Sequence, residues 1–274
     1  EFKIWIHTEW AEKVGIDFDN FVIEFAEGMP YVDTDGNVCR TTGNYGAVRT
    51  NGVWSVNKQL TASGAEVRLY KKVEGQKDRS AIRFVFETAN VYFEGFLNAD
   101  GTYKAGVSSG VLLIPKNLLG SATLDLANDS DMIERVTLAA ADWAINGNVR
   151  TAKVALYNFP ASQYQRDICA RAYITDGEKT VYSEVLTRNM EQVAKAYLLD
   201  GGVTDEELKT LAEQYIVSAT VMDLSDYVEA GFVEVTAGSI VKDGAKYEEV
   251  KEDCTYVYSQ SNKAWSHSSS ALGL

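Results

Sequence analysis

A chain of 274 residues has room for one large packed unit or two ordinary ones, and a composition of 46% hydrophobic and 24% charged residues is that of a globular protein rather than a disordered one. Apolar runs such as "VLLI" at 111–114 are far short of a bilayer span, so no membrane insertion is expected. The formal net charge of −13 excludes nucleic acid and anionic membrane surfaces as partners, because their phosphates must be met by Lys and Arg in excess; an uncharged polysaccharide or a protein meets no such repulsion.

The sequence opens without Met at "EFKIW", in strand-like alternation, and reads as a piece of a longer chain, so the missing leader carries no information on compartment. The first 60 residues read as β, with short helical turns at 10–14 and 17–21. Turn signals recur along the whole chain: DG at 35–36, NG at 51–52, DG at 100–101, NG at 146–147, DG at 176–177 and DG at 243–244. Each places a residue tolerant of positive φ beside a glycine, and between β-branched and aromatic residues such pairs predict hairpins.

The strands between them follow from period-two alternation or continuous apolarity. "AEVRLYKKV" (65–73) and "SAIRFVFETA" (80–89) alternate, and "GVLLIP" (110–115) is a buried strand stopped by Pro115. "NVRTAKVALYNFP" (148–160) alternates up to Pro160, and "DICARAYIT" and "KTVYSEVL" make a hairpin across 176–179.

The period then changes to that of a helix. Asn189 and Gln192 form a capping pair, with Met190, Val193, Ala194, Tyr197 and Leu198 on one face. After Gly201 and Gly202 the signature repeats, with Thr204 and Glu207 as capping box and Leu208, Leu211, Ala212, Tyr215 and Ile216 on one stripe. Residues 231–260 return to strand alternation, and the serine-rich tail "SHSSSALGL" is expected to fray.

The fold predicted is mainly β: two antiparallel β-sandwich lobes, with an αα-hairpin in the C-terminal half packed on them. The partition is a β segment at 1–60, a β-sandwich module plus helical hairpin at 61–217, and a C-terminal β segment with its frayed tail at 218–274, the two outer segments forming a lobe together. Three cysteines, Cys39, Cys169 and Cys254, are too few and too scattered for a disulfide framework or a zinc site of CxxC type.

The series "GAEVRL", "SAIRFVFE", "GVLLIP", "LYNFP", "QYQRDICARAYIT" and "KTVYSEVLTRNMEQVA", in that order over residues 61–200, resembles a β-rich module repeated in large secreted and cell-wall proteins of Gram-positive gut bacteria. Together with the acidic, Tyr-rich β framework it is similar to the starch-adherence proteins of amylosomes, which bind α-1,4-glucan without cleaving it. That resemblance implies an extracellular, cell-surface location, a place in a larger multidomain protein or complex, and a starch or α-glucan partner. It carries over no individual binding residue.

Catalytic constellations are weak. "GVSSG" (106–110) matches the G-x-S-x-G elbow, but an elbow joins a strand to a helix and this one runs into "VLLIP"; the other triad member, His267, lies in the tail. His7 and His267 are too few for most zinc or triad chemistry. Among 39 acids no motif selects a glycosidase pair, and "DTDGN" (33–37) and "NDSD" (128–131) lack calcium-loop spacing. No catalytic residue, metal ligand or cofactor is predicted.

Aromatic residues are the better candidates, since sugar rings pack their C–H faces on flat side chains while amides and charged groups take the hydroxyls. Trp143, Tyr157, Tyr173, Tyr182, Tyr197 and Tyr215 fall on strand or helix faces and are assigned to the core. In "TTGNYGAVRTNGVWSV", Tyr45 and Trp54 stand among turn residues, where a large ring is hard to bury, with Asn44 and Arg49 near enough to donate hydrogen bonds. Trp10, Tyr31 and Trp265 complete the predicted ligand-binding set, and partial burial in a lobe's own core is the competing role for each. The function expected is non-catalytic carbohydrate binding; the runner-up is a structural or adhesive module contacting protein.

Overall fold

The structure, a computed structural model, describes residues 22–25, 30–32, 38–40, 45–50, 53–58, 60–69, 80–202 and 204–269; in 22–25, 31–32, 45–50, 53–58, 69, 80 and 268–269 it describes the backbone alone. The expected helical turns at 10–14 and 17–21 and the turns at 35–36 and 51–52 lie outside the described residues.

The chain begins with β1 (Val22–Phe25), β2 (Pro30–Val32), β3 (Val38–Arg40), β4 (Tyr45–Thr50), β5 (Val53–Lys58), β6 (Thr61–Leu69) and β7 (Ser80–Ala89). Next come α1 (Asn90–Glu94), β8 (Ser108–Pro115), α2 (Lys116–Leu119), β9 (Glu134–Leu138), β10 (Ala144–Asn146), β11 (Val149–Tyr157), β12 (Ile168–Thr175), β13 (Thr180–Tyr182) and β14 (Leu186–Arg188). It ends with α3 (Met190–Leu199), α4 (Glu206–Glu213), β15 (Val221–Asp223), β16 (Phe232–Val235), β17 (Ile240–Asp243), β18 (Lys246–Glu249), β19 (Cys254–Ser259) and β20 (Ala264–Ser269). The protein is mainly β, with several antiparallel sheets and few helices. Among the described residues no helix is long and apolar enough to cross a membrane.

Two compact units divide the chain. One comprises Glu1–Gly64, Phe84–Val154 and Asp167–Thr187; the other comprises Ala65–Arg83, Ala155–Arg166 and Arg188–Leu274. β6, β7, β10 and β11 form one four-stranded sheet ordered β10-β11-β7-β6.

In the first unit the sheet β13-β12-β8-β9, with β14 also on β12, holds a core of Leu112, Ile114, Leu124, Ile133, Cys169 and Tyr173. "GVLLIP" is apolar throughout because both of its faces are covered: Val111, Leu112, Leu113 and Ile114 are all buried. Arg171, although charged, is buried beside them; its Nε donates to the Ser183 carbonyl at 2.8 Å and its guanidinium lies 4.5 Å over the Tyr182 ring. These partners offset the cost of desolvating a cation.

The second unit carries two three-stranded sheets, β15-β17-β18 and β16-β19-β20, around a core of Leu224, Val233, Val235, Val241, Val250, Cys254 and Tyr256. α3 and α4 pack on each other, and α3 also meets β18. Asn189 and Gln192 cap α3 reciprocally, with Gln192 N–H donating to Asn189 Oδ1 at 2.8 Å. At α4 the cap is Asp205 rather than the expected Thr204: Asp205 Oδ1 accepts from Leu208 N–H at 3.1 Å. A carboxylate is the stronger acceptor and is further favoured by the positive end of the helix dipole.

Paired strands flank five of the expected turns. β2 pairs with β3 with Val32 opposite Val38 and β4 with β5 with Thr50 opposite Val53, the turn residues themselves lying outside the described residues. β10 pairs with β11 with Asn146 opposite Val149, β12 with β13 with Thr175 opposite Thr180, and β17 with β18 with Asp243 opposite Lys246. In the described two-residue loops the glycine comes first, at φ 60° in both Gly147 and Gly244, as a type II′ turn requires. The Asn or Asp before it therefore closes the strand instead of sharing the loop. At 100–101 there is no strand hairpin; the Asp100 carboxylate accepts from Thr102 N–H at 3.0 Å, and a single bridge joins Leu97 to Tyr103.

The tail corrects another expectation. Residues 264–269 do not fray but pair with β19, Ser266 opposite Val257 and Ser269 opposite Cys254. Ladder hydrogen bonds and the packing of Trp265 on the second core hold a segment whose serines suggested mobility. Residues 270–274 lie outside the described residues.

Candidate ligand-binding site

Residues two apart on a strand share a face, and residues opposite each other across a ladder share it too. β19 and β20 pair Tyr256 with His267 and Tyr258 with Trp265, which puts four rings on one side of the sheet. Ring centroids are 5.0 Å apart in the first pair and 5.1 Å in the second, with interplanar tilts of 40° and 52°. Tyr256 is buried in the core, Tyr258 and Trp265 are half-buried, and His267 is exposed, its Nε2 3.9 Å from a Glu248 carboxylate oxygen. The strip thus passes from core to solvent within one ladder.

The Tyr258–Trp265 pair stands at the turn end of the hairpin. Lys263 takes φ 50° there, and Ser259 Oγ accepts from Asn262 N–H at 3.3 Å, holding the turn in shape. Gln260 and Asn262 are exposed in the turn that joins β19 to β20, and their side-chain amides make no hydrogen bond among the described residues. A ring pair held to the core through Trp265, with two exposed amides in the adjoining turn, can stack on a flat apolar face and orient its polar edge.

Of the residues predicted from sequence, Trp265 belongs to this strip. Tyr45, Arg49 and Trp54 have described backbones only: β4 and β5 are antiparallel, with Arg49 opposite Trp54 and Tyr45 opposite Lys58. Tyr31 lies on β2 opposite Cys39. Trp10 and Asn44 lie outside the described residues. Sequence reasoning missed Tyr258, Gln260 and Asn262; the alternation of "CTYVYS" marks Tyr258 as a face-mate of Tyr256, but the Trp265 register needed the pairing of a strand that read as tail.

Rings assigned to the core divide. Trp143, Tyr173 and Tyr215 are buried, Tyr182 and Tyr197 are half-buried, and Tyr157 is 46% exposed. Tyr157 is the last residue of β11, just before Asn158 turns the chain at φ 61°, so the alternation continues past the layer that would cover it.

The elbow-like "GVSSG" enters strand β8, with Ser108 opposite Thr175. Ser109 is buried and engaged: it accepts from Trp143 Nε1 at 2.9 Å, lies 2.6 Å from the Tyr103 hydroxyl and donates to the Leu138 carbonyl at 3.3 Å. At "NDSD", the Arg135 guanidinium donates to the backbone carbonyls of Asn128 and Ser130, and just beyond it to that of Ile133. "DTDGN" lies outside the described residues. Among those described, no cluster of three His, Cys, Asp or Glu side chains could hold a metal ion.

No known protein family, curated protein or solved structure matches the chain.

Proposed function

We propose that this protein is a non-catalytic, extracellular carbohydrate-binding protein whose preferred ligand is starch or another α-1,4-glucan. The observation that carries the reading is the Tyr258–Trp265 ring pair, with exposed Gln260 and Asn262 in the turn that follows Tyr258 in the chain. Stacking on such rings is non-ionic, so it is compatible with a protein of net charge −13 binding an uncharged polymer. The resemblance of residues 61–200 to cell-surface modules of gut bacteria, and of the whole to starch-adherence proteins, supports the same ligand class. In this reading the sheets form sandwich lobes, α3 and α4 act as a helical hairpin laid on them, and the chain serves within a larger surface protein.

Native gels cast with amylopectin test the proposal. The protein is expected to be retarded, with no release of reducing sugar, and Trp265→Ala is expected to lose about 1–3 kcal/mol of binding while remaining folded by circular dichroism. Unchanged mobility in amylopectin overturns the reading in favour of a structural or adhesive module. Release of reducing sugar overturns its non-catalytic part.

A further inference from the structure

The second unit also contains a depression of about 510 Å³, lined by Leu198 of α3, Thr204, Glu206 and Lys209 at α4, and Lys246 and Tyr247 of β18. Its volume lies in the range of about 300–1,000 Å³ common to small-molecule sites. Lys209 is buried, at 3% exposure, yet contributes to the lining. Its Nζ donates to Glu206 Oε1 at 3.0 Å and to the Ala245 carbonyl at 3.2 Å. An ammonium carries three N–H groups, and the third meets no oxygen among the described residues.

Lys246 is exposed and makes no ion pair among the described residues. By contrast, Lys242 is matched by Glu213 at 3.4 Å and Asp223 at 3.5 Å. The Tyr247 hydroxyl donates to Glu213 at 2.6 Å, which fixes its half-buried ring in the wall. Asp200 and Asp205 do not line the depression and are engaged by the N–H groups of Gly202 and Leu208.

The formal charges lining the depression are Lys209 and Lys246 against Glu206, and the adjoining Glu213 and Asp223 are met by Lys242, so that Lys246 is left without a carboxylate partner among the described residues. The apolar wall of Leu198 and Tyr247 suits a ring, while Thr204 and the second Glu206 oxygen suit hydroxyls.

We infer that this depression binds a saccharide unit carrying one carboxylate, a uronic acid, with the carboxylate held by Lys246 and the third N–H of Lys209 and the sugar ring set against Tyr247. The inference uses none of the residues of the glucan site and stands independently of it.

Titrating the full chain with methyl glucuronide and, separately, methyl glucoside tests it, because the two probes differ only in having a carboxylate or a hydroxymethyl group. Amide NMR shifts at Lys209, Lys246 and Tyr247 are the readout. The glucuronide is expected to shift these amides saturably and to bind about tenfold more tightly than the glucoside, with affinity falling as salt is raised. Lys246→Gln, at an exposed and unpaired position, should keep the melting temperature and lose about tenfold in glucuronide affinity. Trp265→Ala should leave glucuronide binding unchanged. Equal binding of the two probes, no shift by the glucuronide in the wild type, or an unchanged affinity in Lys246→Gln overturns the inference.

Discussion

Gly110 stands opposite Tyr173 in the β8–β12 ladder, and the Tyr173 hydroxyl fills the space that a side chain at Gly110 would need. A Cβ there would come within 2.7 Å of the Tyr173 oxygen and closer still to the Val136 carbonyl on β9. Both neighbours belong to the paired strands of one buried sheet, so neither has room to retreat.

Gly110→Ala should accordingly destabilise the fold by about 1–3 kcal/mol through overpacking. The midpoint of urea unfolding measures this. A midpoint equal to the wild type would mean that the ladder is looser than the described geometry.

Ser109 should be worth about as much for a different reason. Ser109→Ala leaves the buried Trp143 N–H without its acceptor and removes the partner of Tyr103, at a cost of about 1–3 kcal/mol. Trp143→Phe on the alanine background should cost less than on the wild type, because the stranded donor leaves with it. A double-mutant cycle by denaturant unfolding reads that coupling, and strict additivity would refute the hydrogen bond's role.

Glu191 ties the first turn of α3 to the chain after α4, accepting from Val217 N–H at 3.1 Å and from Ser218 N–H at 2.8 Å. Burial raises its carboxyl pKa, but hydrogen bonds from Ser218, Gln165 and Val217 outweigh it, and the net direction is down from 4.5. A folded-state value below the unfolded one contributes stability above pH 4.5 that is lost as pH falls through the lower folded value. Glu191→Gln should lower stability by about 1–3 kcal/mol at neutral pH and flatten its acid dependence. Thermal melts across the acid range measure both effects.

At the alkaline end, burial and then the charges near Glu248, Cys254 and Asp243 push the Tyr256 phenol up from 10.0 to about 12. The shift is upward, so the neutral ring's contribution is complete below pH 10 and is lost as pH rises through about 12. Ultraviolet titration should show late-ionising tyrosines, Tyr247 among them, with one fewer in Tyr256→Phe than in the wild type. Ionisation of every tyrosine near pH 10 would contradict the buried placement of the ring.

Legibility followed sequence distance. Gly147 and Gly244 mark hairpins because the turn needs a positive φ that the residue itself supplies, and Asn189 and Gln192 mark a helix start because both caps lie within one turn. The single-residue shift from Thr204 to Asp205 was invisible because both residue types cap, and only the path of the chain into α4 decides between them. The parallel pairing of β15 with β17, Val221 opposite Ile240, has no local signature at all.

At the candidate site the same limit applied. Trp265 was legible as a large ring without an assigned place, but Tyr258 became its partner only through the β19–β20 register, and the Lys209–Ala245 contact joins residues 36 apart in sequence.

By itself, the sequence determined a mainly β chain, its turn points, its helix starts and a charge unsuited to polyanions, because each rests on the conformational preference or charge of a few consecutive residues. Tertiary structure alone decided which strands pair, which rings meet and which lysine goes unmatched. Those outcomes depend on burial and register between distant segments, where packing and hydrogen-bond satisfaction are set by neighbours that no local stretch contains.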